Sequence, residues 1–205
     1  KIKDIYHNII LKNMNFDLLK TLSGKFFEGP KLISDNIFHD ERGFFVESWN
    51  QKKFDSSLDS SIFFKQDNHS HSTKGVLRGL HYQISPFAQA KLVRCISGEI
   101  YDVFVDLRQK SSTFKCWGGV ILSSENLHQL WIPEGFAHGF LVLSDSADVL
   151  YKTNQYWSKP SERYLRWDDP DVSISWPLNK DQLILSSKDK NAKYLSELID
   201  NDIFT

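Results

Sequence analysis

Ile100-Tyr101-Asp102-Val103-Phe104-Val105-Asp106-Leu107-Arg108 alternates with a period of two residues. Tyr101, Val103, Val105 and Leu107 fall on one side; Asp102, Phe104, Asp106 and Arg108 fall on the other. Successive side chains of a strand point to opposite faces, so this stretch reads as β-strand and not helix. Ser97-Gly98-Glu99 has turn chemistry and predicts a hairpin joining it to residues 91–96. The same texture recurs at 119–123, 129–132, 139–143 and 149–153, with Pro133-Glu134-Gly135 as a turn.

Short antiparallel strands from Pro30 onward predict an all-β fold, a double-sheet jelly roll or small barrel. Residues 1–29 read as an N-terminal extension with weak helical patterning, carried by Ile5, Ile9, Ile10 and Leu11, then Leu18, Leu19 and Leu22 before Gly24. Residues 30–205 read as one domain, with a short amphipathic helix expected over 190–200 from Ala192, Leu195, Leu198 and Ile199.

Composition narrows the function classes. The chain has 205 residues, 40% of them hydrophobic, with 25 basic and 26 acidic side chains and a formal charge of -1. A chain of this length can bury roughly 70% of its unfolded surface, so it needs no staples. No polybasic field exists to attract a nucleic acid or a membrane surface. No run of eighteen apolar residues predicts a transmembrane helix, and the opening KIKDIYHNIILKNMNF is broken by His7, Asn8, Lys12 and Asn13, unlike a signal-peptide core. Cys95 and Cys116 are the only cysteines, which predicts free thiols and a cytoplasmic location.

His81 is the strongest candidate for chemistry. It lies in Val76-Leu77-Arg78-Gly79-Leu80-His81-Tyr82-Gln83, where strand alternation puts Gly79, His81 and Gln83 on one face. Gly79 leaves room beside the imidazole for a ligand or a second backbone. A single histidine in a strand is more often structural than catalytic. What changes that balance is the set of polar residues within or beside other strands: Arg78, Lys91, Arg94, Asp102, Asp106 and His138. A barrel lined by such groups has a ligand cavity.

Taken in order, the motifs resemble one family. They are Asp40-Glu41-Arg42-Gly43-Phe44-Phe45-Val46-Glu47, Gln66-Asp67-Asn68-His69-Ser70, the Arg78 to Gln83 block, Gln89-Ala90-Lys91-Leu92-Val93-Arg94 and Gly98-Glu99. Trp131-Ile132-Pro133-Glu134-Gly135-Phe136-Ala137-His138-Gly139-Phe140, Tyr151-Lys152, Trp167-Asp168-Asp169-Pro170 and Ser187-Lys188-Asp189 follow. The chain resembles the dTDP-4-dehydrorhamnose 3,5-epimerases over roughly residues 30 to 190. The resemblance implies a cupin, a double-stranded β-helix jelly roll with a few short peripheral helices. It also implies a cofactor-free isomerase of dTDP-L-rhamnose synthesis, feeding polysaccharide or lipopolysaccharide assembly.

The substrate so implied is the nucleotide sugar dTDP-4-dehydro-6-deoxy-D-glucose, whose C3 and C5 flank a ketone. Inverting them needs a base on one face, an acid on the other and a cation at the carbonyl oxygen. By resemblance His81 is the base, Tyr151 the acid, Asp189 the carboxylate that orients His81, and Lys91 the cation. Arg42, Glu47, Gln66, Asn68, Arg78, His138, Glu162 and Lys188 match binding positions. Trp157 stands where the family commonly has a tyrosine that stacks on thymine, and His71 where a lysine is common. The resemblance further implies a homodimer that exchanges N-terminal strands, the exchanged strand lying near residues 31–38.

His69-Ser70-His71 resembles half of a metal-binding cupin motif, but no carboxylate follows at short spacing, and the expectation is no metal. A single-carbon epimerase or ketoisomerase on a related dTDP-deoxysugar stays open, as do a sugar-binding cupin without catalysis and a metal-dependent oxygenase.

Overall fold

The structure is a computed structural model that describes residues 14–58 and 60–205. Its strands are β1 (Asn15–Lys20), β2 (Phe26–Ser34), β3 (Ile37–Asp40), β4 (Gly43–Val46), β5 (Gln66–Thr73), β6 (Leu77–Gln83) and β7 (Lys91–Ser97). Then follow β8 (Glu99–Asp106), β9 (Trp117–Ser123), β10 (Gln129–Ile132), β11 (Phe136–Val142), β12 (Ser146–Thr153) and β13 (Glu162–Tyr164). Helix α1 (Gln51–Leu58) and helix α2 (Ser187–Lys190) are peripheral.

Two antiparallel sheets carry the fold. One has the order β1-β2-β10-β7-β12-β5, the other β13-β6-β11-β8-β9, and β3 and β4 form a separate hairpin. Their facing sides meet in a core of Phe27, Val93, Ile100, Phe104, Leu130, Phe136 and Val149. Phe104 anchors it, with ring centroids 4.9 Å from Phe27 and 5.8 Å from Phe136, both edge-on. This is the expected double-sheet jelly roll.

Each sheet is covered on its outer side too. Val103, Val105 and Leu107 pack under Leu165, Val172 and Leu195 of the C-terminal segment. Ile33, Leu92 and Trp131 pack under Phe54 of α1. β8 therefore has no solvent face, and Asp102 and Asp106 on its polar side are fully buried. Each must then find a partner inside the protein, because an unpaired buried charge is costly.

Three expectations need correction. Residues 91–96 and 100–108 do not form a hairpin: β7 pairs with β10 and β12, whereas β8 pairs with β11 and β9. The chain changes sheets at Gly98, whose φ of +77° and contact with the Ser146 carbonyl exclude a side chain. Burial drives this crossover, since Val93 and Ile100 meet across the interior instead of side by side. The helix expected over 190–200 is absent. α2 ends at Lys190, and short 3₁₀ turns follow at Leu195–Glu197 and Asp200–Asp202, because Leu195 is pinned by its N–H donating to Asp169 at 2.6 Å. Finally, Leu18 and Leu19 lie in β1, a strand paired with β2, and not in a helix; residues 1–13, including Ile5 to Leu11, lie outside the described residues.

Candidate active site

The site begins with an irregularity in β6. His138 of β11 lies opposite His81, but Phe140 lies opposite Arg78, so two residues of β6, Gly79 and Leu80, face the single Gly139 of β11. Gly79 absorbs the extra residue with φ +133°, and a Cβ there would sit 2.6 Å from Gly139 Cα. The space beside the imidazole is thus taken by a second backbone. The bulge also resets the alternation: Arg78 reaches β5 of the facing sheet, where its Nε donates to Ser72 Oγ at 3.0 Å.

His81 is held by a residue far along the chain. Its Nε2 lies 2.6 Å from Asp189 Oδ1, and Asp189 is almost completely buried. Ser186 sets this carboxylate, its Oγ capping α2 at Asp189 N and donating to Asp189 Oδ2 at 2.7 Å. Burial by itself would raise the Asp189 pKa. The hydrogen bonds from His81, the Ser186 hydroxyl and the Gly79 N–H outweigh burial and hold it below the usual carboxylate range. An ionised Asp189 accepts from Nε2–H, which leaves Nδ1 as the nitrogen with a free lone pair.

Across the interior, Tyr151 of β12 lies opposite Asn68 of β5. His81, Tyr151, Lys91, Gln66, Asn68, Glu162 and Trp157 line one cavity of about 110 Å³. Small-molecule sites usually run to roughly 300–1,000 Å³, so this hollow is smaller than a usual ligand site. Burial raises the Tyr151 pKa, with Arg78 opposing and Glu162 adding to the shift, so the phenol keeps its proton.

Lys91 is the buried cation of the cavity, its Nζ donating to the His81 carbonyl at 3.1 Å. Burial pulls its pKa down to about 8, against the charges of Asp102 and Glu162. His138 lies beside His81, its Nε2 2.7 Å from Asp102 Oδ1. Burial lowers the His138 pKa against the pull of Asp102, which favours the neutral imidazole.

At the rim, Trp157 Nε1 donates to Glu162 Oε1 at 3.1 Å. The Tyr164 hydroxyl donates to the other Glu162 oxygen, and Lys188 Nζ donates to that hydroxyl at 2.9 Å. Tyr164 is not among the site residues that the sequence motifs mark, whereas Asp102 is among the strand polar groups that pointed to a cavity. Tyr164 shares a strand face with Glu162, a spacing of two that could have flagged it.

Other expected site residues are not brought to this cavity. Arg42 lies on the β3–β4 hairpin, 83% exposed and paired with Asp40. Glu47 pairs with Lys53 at 2.7 Å. Asp106 is satisfied by Arg108, Ser111 and Thr113 at the far end of β8, a structural network and not a cavity wall. Arg94 lines a hollow with Trp49 and Leu92. His69 and His71 point outward from β5, at 2.9 and 3.2 Å from the two oxygens of Asp148. No group of three His, Cys, Asp or Glu side chains among the described residues is arranged to hold a metal ion.

Residues 26–197 match the family model for dTDP-4-dehydrorhamnose 3,5-epimerase. The chain belongs to this family. The epimerase is 54% identical over 173 residues to the dTDP-4-dehydrorhamnose 3,5-epimerase of Shigella flexneri, a match covering 84% of this chain and 93% of that one. It superposes with a TM-score of 0.84 on the Legionella pneumophila epimerase in complex with dTDP-4-keto-L-rhamnose, at 46% identity, covering 93% of this chain and 98% of that one. A 3'-monoepimerase from Streptomyces bikiniensis with dTDP-quinovose is also similar, at TM-score 0.79 and 31% identity, covering 87% and 88%. The protein is accordingly an isomerase with the cupin architecture. No helix among its described residues is long and apolar enough to cross a membrane.

Proposed function

We propose that His81 removes the protons of C3 and C5 of dTDP-4-dehydro-6-deoxy-D-glucose and that Tyr151 returns protons from the opposite face. His81 Nδ1 takes the C–H proton, the bonding electrons move into the C4 carbonyl, and its oxygen becomes an enolate oxygen. Lys91 Nζ stabilises that charge in a buried site, where one donor is worth roughly 10²–10³ in rate. The Tyr151 hydroxyl then delivers its proton to the other face of the same carbon, regenerating the ketone. Asp189 orients the imidazole throughout. The substrate's own ketone acidifies both hydrogens, so the sequence of steps consumes no cofactor.

One observation carries this reading: an imidazole fixed at 2.6 Å by Asp189 shares a cavity with a protonated phenol from the facing sheet and a buried lysine. The test is incubation with the dTDP-keto sugar in deuterated water, followed by NMR at C3 and C5. Deuterium at both carbons is expected, and none with His81→Ala. Label at one carbon only would assign a monoepimerase, and label at neither a sugar-binding cupin.

The homodimer belongs to the same proposal, with one change. Lys31 to Ile33, the core of the segment expected to be exchanged, pair with Trp131 to Gln129 of their own chain. The β3–β4 hairpin is the better candidate for exchange. It carries Arg42, and its Phe44 and Phe45 are exposed aromatic surface that a partner would cover. In a two-fold dimer this hairpin supplies Arg42 and Glu47 to the neighbouring cavity, where a guanidinium fork suits a pyrophosphate. Two free thiols, Cys95 and Cys116, suit the reducing cytoplasm.

A further inference from the structure

Tyr164 stands behind the wall of the catalytic cavity and lines a larger outer hollow with Glu162, Lys188 and Arg163. We infer that Tyr164 is a positioning residue that ties the nucleotide end of the site to the catalytic dyad. Its hydroxyl bridges Glu162 and Lys188 while its ring buttresses the imidazole of His81. The inference rests on the epimerase reading above and adds a residue to it.

Strand pairing creates the arrangement. β13 runs antiparallel to β6, with Tyr164 opposite His81 and Glu162 opposite Gln83. The two rings meet edge to face, centroids 5.1 Å apart at 84°. Arg163 between them points the other way and is held by Asp202 at 2.6 Å. Glu162 and Tyr164 therefore act on the site side of the strand as a pair.

The contacts close a loop. His81 bonds to Asp189; Asp189 follows Lys188 in α2; Lys188 donates to the Tyr164 hydroxyl; and the Tyr164 ring returns to His81. Each link lacks something alone. An imidazole tethered at one nitrogen can tilt about that bond, and an edge-on ring removes the tilt. Lys188 is 66% exposed and 3.6 Å from Glu162, so their direct ion pair is weak. A phenol between them makes two charge-assisted hydrogen bonds instead. Burial and the Glu162 carboxylate both raise the phenol pKa, which keeps the hydroxyl a donor. Because Trp157 donates to the same carboxylate, the bridge also sets the indole at the rim.

The hydroxyl and the ring thus have separable jobs. Tyr164→Phe keeps the ring and frees Glu162 and Lys188. Its dTDP affinity in calorimetry is expected to fall about three- to tenfold, one hydrogen-bond equivalent, and KM to rise in parallel, with kcat within about twofold. Tyr164→Leu fills space without an aromatic edge. It is expected to lose a further tenfold or so in kcat, recovered in the Phe variant. Thermal unfolding of both variants separates this from general destabilisation, since a merely structural residue would not split KM from kcat. Parent-like dTDP affinity and kcat in both variants would overturn the role of Tyr164, as would equal kcat losses with unaltered dTDP binding. A parent protein that binds dTDP and exchanges no deuterium would instead overturn the epimerase reading.

Discussion

His81 and Asp189, 108 residues apart in the chain, meet at 2.6 Å and define which imidazole nitrogen is free. Asn at position 189 keeps the shape but removes the charge that holds Nε2–H in place. Asp189→Asn is expected to lower kcat by about 10²–10⁴-fold with KM little changed. A steady-state assay checks this, and a kcat within threefold of the parent would refute the orienting role.

In the proposed mechanism Tyr151 separates proton removal from inversion. Tyr151→Phe is expected to keep measurable deuterium exchange at C3 and C5 while net inversion falls about 10²–10⁴-fold, because abstraction proceeds without the acid. Exchange and inversion are read in one NMR time course. Their equal, complete loss would mean that the phenol takes part in abstraction too.

Lys91 predicts the pH profile. Its cation is present below a pKa of about 8 and is lost as pH rises through that value. The kcat/KM profile should therefore fall on the alkaline side near pH 8. Tyr151 is raised above its ordinary value of 10.0 and adds no limb there. Lys91→Met should abolish that limb and cost about 10²–10³-fold in kcat. An alkaline limb that persists in the Met variant would assign it to another group.

The proposed dimer with a shared site predicts complementation. Arg42→Ala and His81→Ala homodimers should each be nearly inactive. Unfolded and refolded together, they should regain up to about a quarter of parental activity, as expected when one statistical site in the mixture is intact on both sides. No recovery from a mixture shown by sedimentation to be dimeric would place Arg42 in its own chain's site.

Asp106 tests stability without touching the chemistry. Burial alone would raise its pKa, but Arg108, Ser111 and Thr113 outweigh burial and hold it below 3.8. Its contribution is full above the unfolded value and is lost as pH falls through the folded one. Asp106→Ala leaves Arg108 without its partner and is expected to cost about 3–5 kcal/mol in urea unfolding. Its kcat per folded molecule should stay within twofold, and a loss of kcat would tie this corner to the site.

Much of the proposed catalytic set was legible as motif. His81, Tyr151, Lys91, Asn68 and Glu162 converge on one cavity, each marked by residue type, order and spacing along the chain. Arg78 was harder to place, because period-two alternation from His81 assigns it to the other face until Gly79 inserts its extra residue. For Tyr164 the one local signal is its spacing of two from Glu162, since its other partners, Lys188 and His81, come from two other elements.

By itself the sequence determined the strands within 100–108, 119–123, 129–132, 139–143 and 149–153, because alternation is local and each side chain's face follows from its neighbours. It also carried the resemblance to the epimerase family, because His81, Lys91 and Tyr151 sit within motifs whose order and spacing are local. Tertiary structure alone decided that residues 91–96 and 100–108 split between two sheets. It alone decided that Leu18 and Leu19 join a strand and that Asp106 serves stability instead of substrate. Those outcomes depend on which faces are buried against which, and burial is a property of the packed chain and not of any window along it.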